Sequence, residues 1–260
     1  MPWTVYDYQA GPKGGSLTPL LNHCSSIRVV DESGSGKAGD DVNVQYLHGN
    51  HPVPHKFADP RLIPLEVVLR FTNSAGVVTH ADGGPGHVFE NLAEVKRLLR
   101  GQRGLATLQR IAPHYGTQQV DVHSGAPTPS QNRFTFLFPL LAPRPFWRST
   151  TLNSISASPL AVLGDAPVDD AEIVFSAAAA SPIFTHTASG ATIQYVGTVP
   201  AGGVRVFTET GQAQRVSGGA DESANVAFNK TYILELDPGV SNAYTISSGT
   251  VTVEWRNKSN

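Results

Sequence analysis

The sequence predicts a mainly β protein in two parts: a small β domain with one packed α-helix, residues 1–149, and an antiparallel β-sandwich, residues 150–260. Three observations carry this. Short β-prone runs set off by glycine and proline recur along the 260 residues. A single segment, Phe89–Arg100, carries an apolar stripe at helical spacing. The stretch Arg133–Ser149 separates two regions of different character, because residues 1–149 hold 14 Lys and Arg against 11 Asp and Glu, and residues 150–260 hold 5 against 10.

Trp3–Tyr8, Ile27–Asp31 and Val42–Leu47 read as short strands, with a flexible tip at Gly34, Gly36 and Gly39. Gly49–Pro60 is a polar arm with three prolines and no periodicity, suited to reaching a neighbouring subunit. In Leu65–Phe71 the residues Leu65, Val67, Leu69 and Phe71 share one face, and Glu66 and Arg70 the other. Asp82–Gly86 reads as a connecting turn. Leu92, Val95 and Leu99 form the helical stripe, with Leu98 beside it. Lys96, Arg97 and Arg100 sit in the last turns, where cations suit the dipole, and Gly101 offers a left-handed stop.

Leu105–Ile111 and Gln119–Val122 read as strands leading to Phe134, Phe136 and Phe138, three rings on one strand face. Proline donates nothing to a ladder, so this strand is expected to stop or move to an edge at Pro139; Pro143 and Pro145 stiffen the exit. Phe146 and Trp147 then supply an apolar anchor. Beyond Leu152 no segment has helical periodicity. Glu172–Phe175, Thr192–Val196, Val204–Thr208, Tyr232–Leu236 and Thr250–Trp255 read as strands between glycine turns, with Val251, Val253 and Trp255 on one side. Ala177–Ala180 reads as loop.

A net charge of −2 gives no global drive toward nucleic acid or membrane surfaces. No apolar run reaches the roughly 18–20 residues of a membrane helix. Cys24 is the single cysteine, so no intrachain disulfide forms. The first residues lack a basic and then apolar leader pattern, and the chain is expected to be made soluble in a cytoplasm.

Candidate chemistry is sparse. His48, His51 and His55 are spaced to converge on one ion, with Asp59 the nearest carboxylate; the competing reading is an exposed polar loop. Asp82–Gly86 precedes the helix, but Pro85 removes a donor and no GK[ST] follows, so a phosphate cradle is disfavoured. Asp165, Asp169, Asp170 and Glu172 do not match a calcium loop and read as a solvated linker. No G-x-S-x-G elbow is present, and Cys24 has no flanking signature. No catalytic residue, cofactor or metal ligand is assigned. Trp147 and Trp255 are expected in cores or between domains rather than on a sugar-binding face.

The chain resembles the distal tail proteins of long-tailed bacteriophages. The resemblance rests on Arg61–Arg70, Asn91–Leu99 and Phe134–Trp147 in the first part. In the second it rests on Leu163–Pro167, Glu172–Phe175, Ser181–Ile183, Gly190–Tyr195, Leu236–Gly239 and Val251–Trp255. It implies a β-barrel-like N-terminal domain that closes a ring, typically of six copies, beneath the tail tube, and a peripheral galectin-like sandwich. It further implies a non-enzymatic virion component that joins the tail tube protein to the tail fibre or tail-associated lysin. A carbohydrate-binding or receptor-binding role of the sandwich, with a host-surface glycan as partner, is the alternative. Ser176 stands where a glycine is expected, and the histidine arm has no place in the family pattern.

Overall fold

The computed structural model describes residues 8–20, 25–29, 60–100, 104–112, 116–130, 134–144, 146–229 and 234–259. The histidine arm, Cys24, the Val42–Leu47 run, Gly101 and most of Trp3–Tyr8 lie outside them. The chain divides into two compact units between Trp147 and Arg148.

In the first unit the elements are β1 Tyr8–Pro12, β2 Thr18–Pro19, β3 Ser25–Val29, β4 Arg61–Leu69, α1 Pro85–Arg100, β5 Ala106–Ala112, β6 Gly116–Ser124, β7 Thr128–Pro129 and β8 Thr135–Ala142. β9, Trp147–Ser149, straddles the division. The main antiparallel path runs β2-β1-β5-β6-β8-β4-β3, with β7 beside β8. Strict alternation builds β4: Arg61, Ile63, Leu65, Val67 and Leu69 are buried and the residues between them are not. Their β8 partners include Phe138 and Leu140, and the core continues through Leu108, Val122, Leu99 and Trp147. Tyr8 meets Trp147 at 6.4 Å between rings, and the Arg110 guanidinium lies 4.1 Å over the indole.

Three expectations change here. Phe71 has left the strand: it is 37% exposed and packs edge-on against Phe134 at 4.4 Å. α1 begins at Pro85, four residues before Phe89, because Pro85 has no N–H to leave unsatisfied. The Asp82 carboxylate also accepts the Gly84 and Gly86 N–H groups, at 3.0 and 2.9 Å. Finally, β8 neither stops at Pro139 nor lies at an edge. Pro139 faces Pro64 in register. Leu69 N–H donates to Phe134 O, which sets the phase of the ladder and makes the Pro64–Pro139 pair a non-hydrogen-bonded one. On the other side Pro139 faces Gly125, whose N–H donates to Pro139 O; the bond that Pro139 cannot return is replaced by Ser124 Oγ, which donates to Gly125 O at 3.1 Å.

The second unit is a sandwich of β10 Asn153–Ile155, β11 Glu172–Phe175, β12 Ile183–His186, β13 Thr192–Tyr195, β14 Val204–Phe207, β15 Gln212–Arg215, β16 Val226–Phe228, β17 Tyr244–Ile246 and β18 Val251–Trp255, with β19 Lys258–Ser259 at its end. One antiparallel sheet runs β10-β18-β11-β14-β15 and the other β16-β13-β12-β17. Both bury alternate residues in a shared core: Ile173, Phe175, Val204, Val206, Val251, Val253 and Trp255 from the first, and Phe184, Ile193 and Tyr195 from the second. Ala177–Ala180 is loop, as expected. The predicted Tyr232–Leu236 strand is not a ladder in its described part, where Leu236 makes an isolated bridge to Val168. Ser176 fits without glycine: its hydroxyl accepts Thr250 N–H at 3.0 Å.

The acidic cluster is not a solvated linker. Asp165 and Ala166 donate their N–H groups to Lys258 O, and Gly164, at φ +117°, lies so close to that carbonyl that no side chain fits. The Lys258 ammonium, almost fully buried, pairs with Asp169 and, at 3.0 Å, with Asp170, which also binds Arg148 at 3.1 Å.

Candidate functional site

Three places carry chemistry or surface that the fold itself does not use up. The first is the outward face of β4 and β8. Leu62 and Leu141 are register partners, 56% and 43% exposed. Pro64, Pro139, Leu137 and Val68 continue the same face half-buried, and Glu66 is the one charge among them. A one-sided antiparallel sheet ordinarily turns polar residues outward. An outward strip that is mostly apolar is a surface suited to another protein. Ile111 at the end of β5 and Phe89 on α1, 73% exposed, add to the apolar surface of this unit.

The second place is the start of α1. His87 is buried; Thr79 N–H donates to its Nε2 at 3.0 Å, which requires a lone pair there and puts the ring proton on Nδ1. Nδ1 in turn donates to Glu90 Oε2 at 2.9 Å. His80 reaches the other carboxylate oxygen, Nε2 to Oε1, at 3.1 Å, and its ring stands edge-on to His87 at 4.2 Å. Hydrogen bonds from His87 first, and then from His80, hold the Glu90 carboxyl below the ordinary glutamate range. These three side chains are the group of His, Cys, Asp or Glu ligand atoms that converges among the described residues. Sequence reading missed them by starting the helix at Phe89, which left His87 outside it. With Pro85 as the first helical residue, His87 and Glu90 are i, i+3 neighbours.

The third place is the β15 side of the sandwich, a shallow polar depression lined by Phe207, Gln212, Gln214, Asp221 and Ser223. Beside it Glu222 accepts hydrogen bonds from Arg215 Nε at 2.5 Å, Asn225 Nδ2 at 2.7 Å and Tyr195 Oη at 2.9 Å. Those bonds, Arg215 foremost, hold its carboxyl low. Burial, and then the bond to Glu222, push the Tyr195 phenol up. This carboxylate is fully committed to structure. Trp147 and Trp255 are both in cores and offer no stacking face, which leaves half-buried Phe207 as the one aromatic side chain lining the depression. On β12, His186 Nδ1 lies 2.9 Å from Ser189 Oγ, but that hydroxyl also accepts Ala191 N–H and closes the β12–β13 turn. The array His48, His51 and His55 lies outside the described residues, and no described helix is long and apolar enough to cross a membrane.

No protein-family model matches the chain, and no curated protein does. Among solved structures it is similar to the SPP1 Dit (gp 19.1) protein, described as a paradigm of the hub adsorption apparatus in Gram-positive-infecting phages. That alignment has 12% identity and a TM-score of 0.61, and covers 96% of this chain and 98% of that one. Baseplate structures of phage P2 in the activated conformation, with Ca and with Sr, align at 8% identity with TM-scores of 0.42 and 0.43. They cover 98% and 97% of this chain and 98% of each of theirs. The likeness to the first is one of fold, and it spans both units in order.

Proposed function

We propose that a chain with the fold of a phage tail hub protein serves as one: a structural virion component of the tail tip that closes into a ring, six copies being the expectation. The observation that carries this reading is the span of the likeness. A sandwich alone is shared by many unrelated proteins. A strand-and-helix unit followed by a sandwich, matched end to end over 96% of the chain, is a far more restrictive combination. The outward apolar strip supports it, because a ring needs a heterologous contact in which one face of each copy meets a different face of the next.

In this reading the first unit forms the annulus through the β4–β8 face, and the second unit stands at the periphery. The ring joins the tail tube protein above to the tail fibre or lysin protein below. The chain makes contacts and performs no chemical transformation. The glycan-binding alternative would rest on the β15 depression, whose one lining aromatic is Phe207.

The test is Leu62→Asp with Leu141→Asp in the full chain, followed by size-exclusion chromatography with light scattering. The wild type is expected to elute as a closed oligomer and the double variant as a folded monomer with an unchanged far-ultraviolet spectrum. An oligomer that survives both charges removes the strip from the ring contact.

A further inference from the structure

We infer that His80, His87 and Glu90 form a site for a divalent zinc-class cation, which ties the loop before α1 to the helix's first turns. The ligand atoms all lie within 4.8 Å of one another. Ligands around a tetrahedral zinc stand about 3.3 Å apart, as follows from metal–ligand distances of roughly 2.0–2.2 Å. The imidazole–carboxylate separations are 3.1 Å from His80 to one Glu90 oxygen and 2.9 Å from His87 to the other, so a turn of the carboxylate between the two rings admits the ion. Two imidazole nitrogens and one carboxylate oxygen suit zinc, cobalt or nickel rather than calcium or magnesium, which take oxygen sets. Three protein ligands leave a fourth position to water or to a group from another molecule.

The surroundings are built for it. His80 reaches the cluster only because residue 86 is glycine: a Cβ there would stand 2.6 Å from His80 Nδ1 and 2.8 Å from its Cγ. His87 is held by the helix and buried, so one ligand is fixed in place. Thr79 supplies an outer partner. A cation bound through Nδ1 requires the ring proton to move from Nδ1 to Nε2. Thr79 Oγ, 3.1 Å from Nε2, accepts it there, while the Thr79 main-chain N–H gives up the ring. The Glu90 side chain is 60% exposed, which provides an entry path. The site is independent of ring closure, and its failure would leave the hub reading untouched.

The experiment is zinc titration of the metal-free full chain by calorimetry, with cobalt absorption as a second probe and the melting temperature as a third. One equivalent of zinc is expected, with a rise in Tm, since an ion that binds only the folded state stabilises it. His80→Ala, Glu90→Ala and Gly86→Ala each weaken Kd by at least about tenfold, the lower end of the usual loss for disturbing an outer-shell partner. The triple change His48→Ala, His51→Ala, His55→Ala, which removes the competing array, leaves the affinity unchanged. Absence of saturable binding overturns the site. So does zinc binding that survives His80→Ala and Glu90→Ala but is lost with the three arm histidines.

Discussion

Replacing Asp170 with asparagine leaves the almost buried Lys258 ammonium with Asp169 alone and takes a partner from Arg148. Breaking a buried pair from one side costs about 3–5 kcal/mol, and the remaining Asp169 contact should reduce this to about 2 kcal/mol. Chemical denaturation of the full chain measures it. The pH dependence follows from the same residue. Burial alone would raise the Asp170 carboxyl, but Lys258 and then Arg148 outweigh it and hold the carboxyl low. Its contribution is therefore complete above the ordinary aspartate pKa, near 3.9, and is lost as pH falls through the lower folded value. Glu172 has the opposite sign. Burial raises it, against Arg205 and with help from Glu254 and Asp170, so it costs stability at neutral pH and that cost is relieved in acid. The melting temperature of Asp170→Asn should fall less between pH 6 and pH 3 than that of the wild type. That of Glu172→Gln should fall more. Parallel curves for all three would contradict the assignment.

At the scale of elements, α1 and β8 show what local pattern tells and what it hides. Asp82→Ala removes the acceptor of two N–H groups at the helix start and should cost about 1 kcal/mol in denaturation, the usual worth of such a cap. Phe138→Ala empties a fully buried site between β4 and the rest of the core and should cost about 3–5 kcal/mol. Alternation in β4, β11 and β18 and the stripe of α1 were legible in the sequence, because one face of each meets a core and period alone reports it. The path of β8 through Pro139 was not, because whether a proline breaks a ladder depends on the phase of its partner strand. Strands of three or four residues such as β10, β15 and β17 carry too few side chains to show a period. The role of Asp169 and Asp170 was hidden because Lys258 lies about ninety residues away, and the His80–His87–Glu90 cluster because it needs both a loop and the right first turn.

At the scale of the molecule, two β-rich units each have their own core, the first with an outward apolar strip along β4 and β8 and the second with a polar depression on its β15 side. In the function proposed above the strip serves assembly, and the fold likeness to a phage hub protein supplies the form expected of it. Native mass spectrometry of the full chain tests this most directly. The account predicts a dominant closed species at six times the 27.6 kDa chain, with no ladder of intermediate orders. A monomer that persists at every concentration sprayed would contradict it.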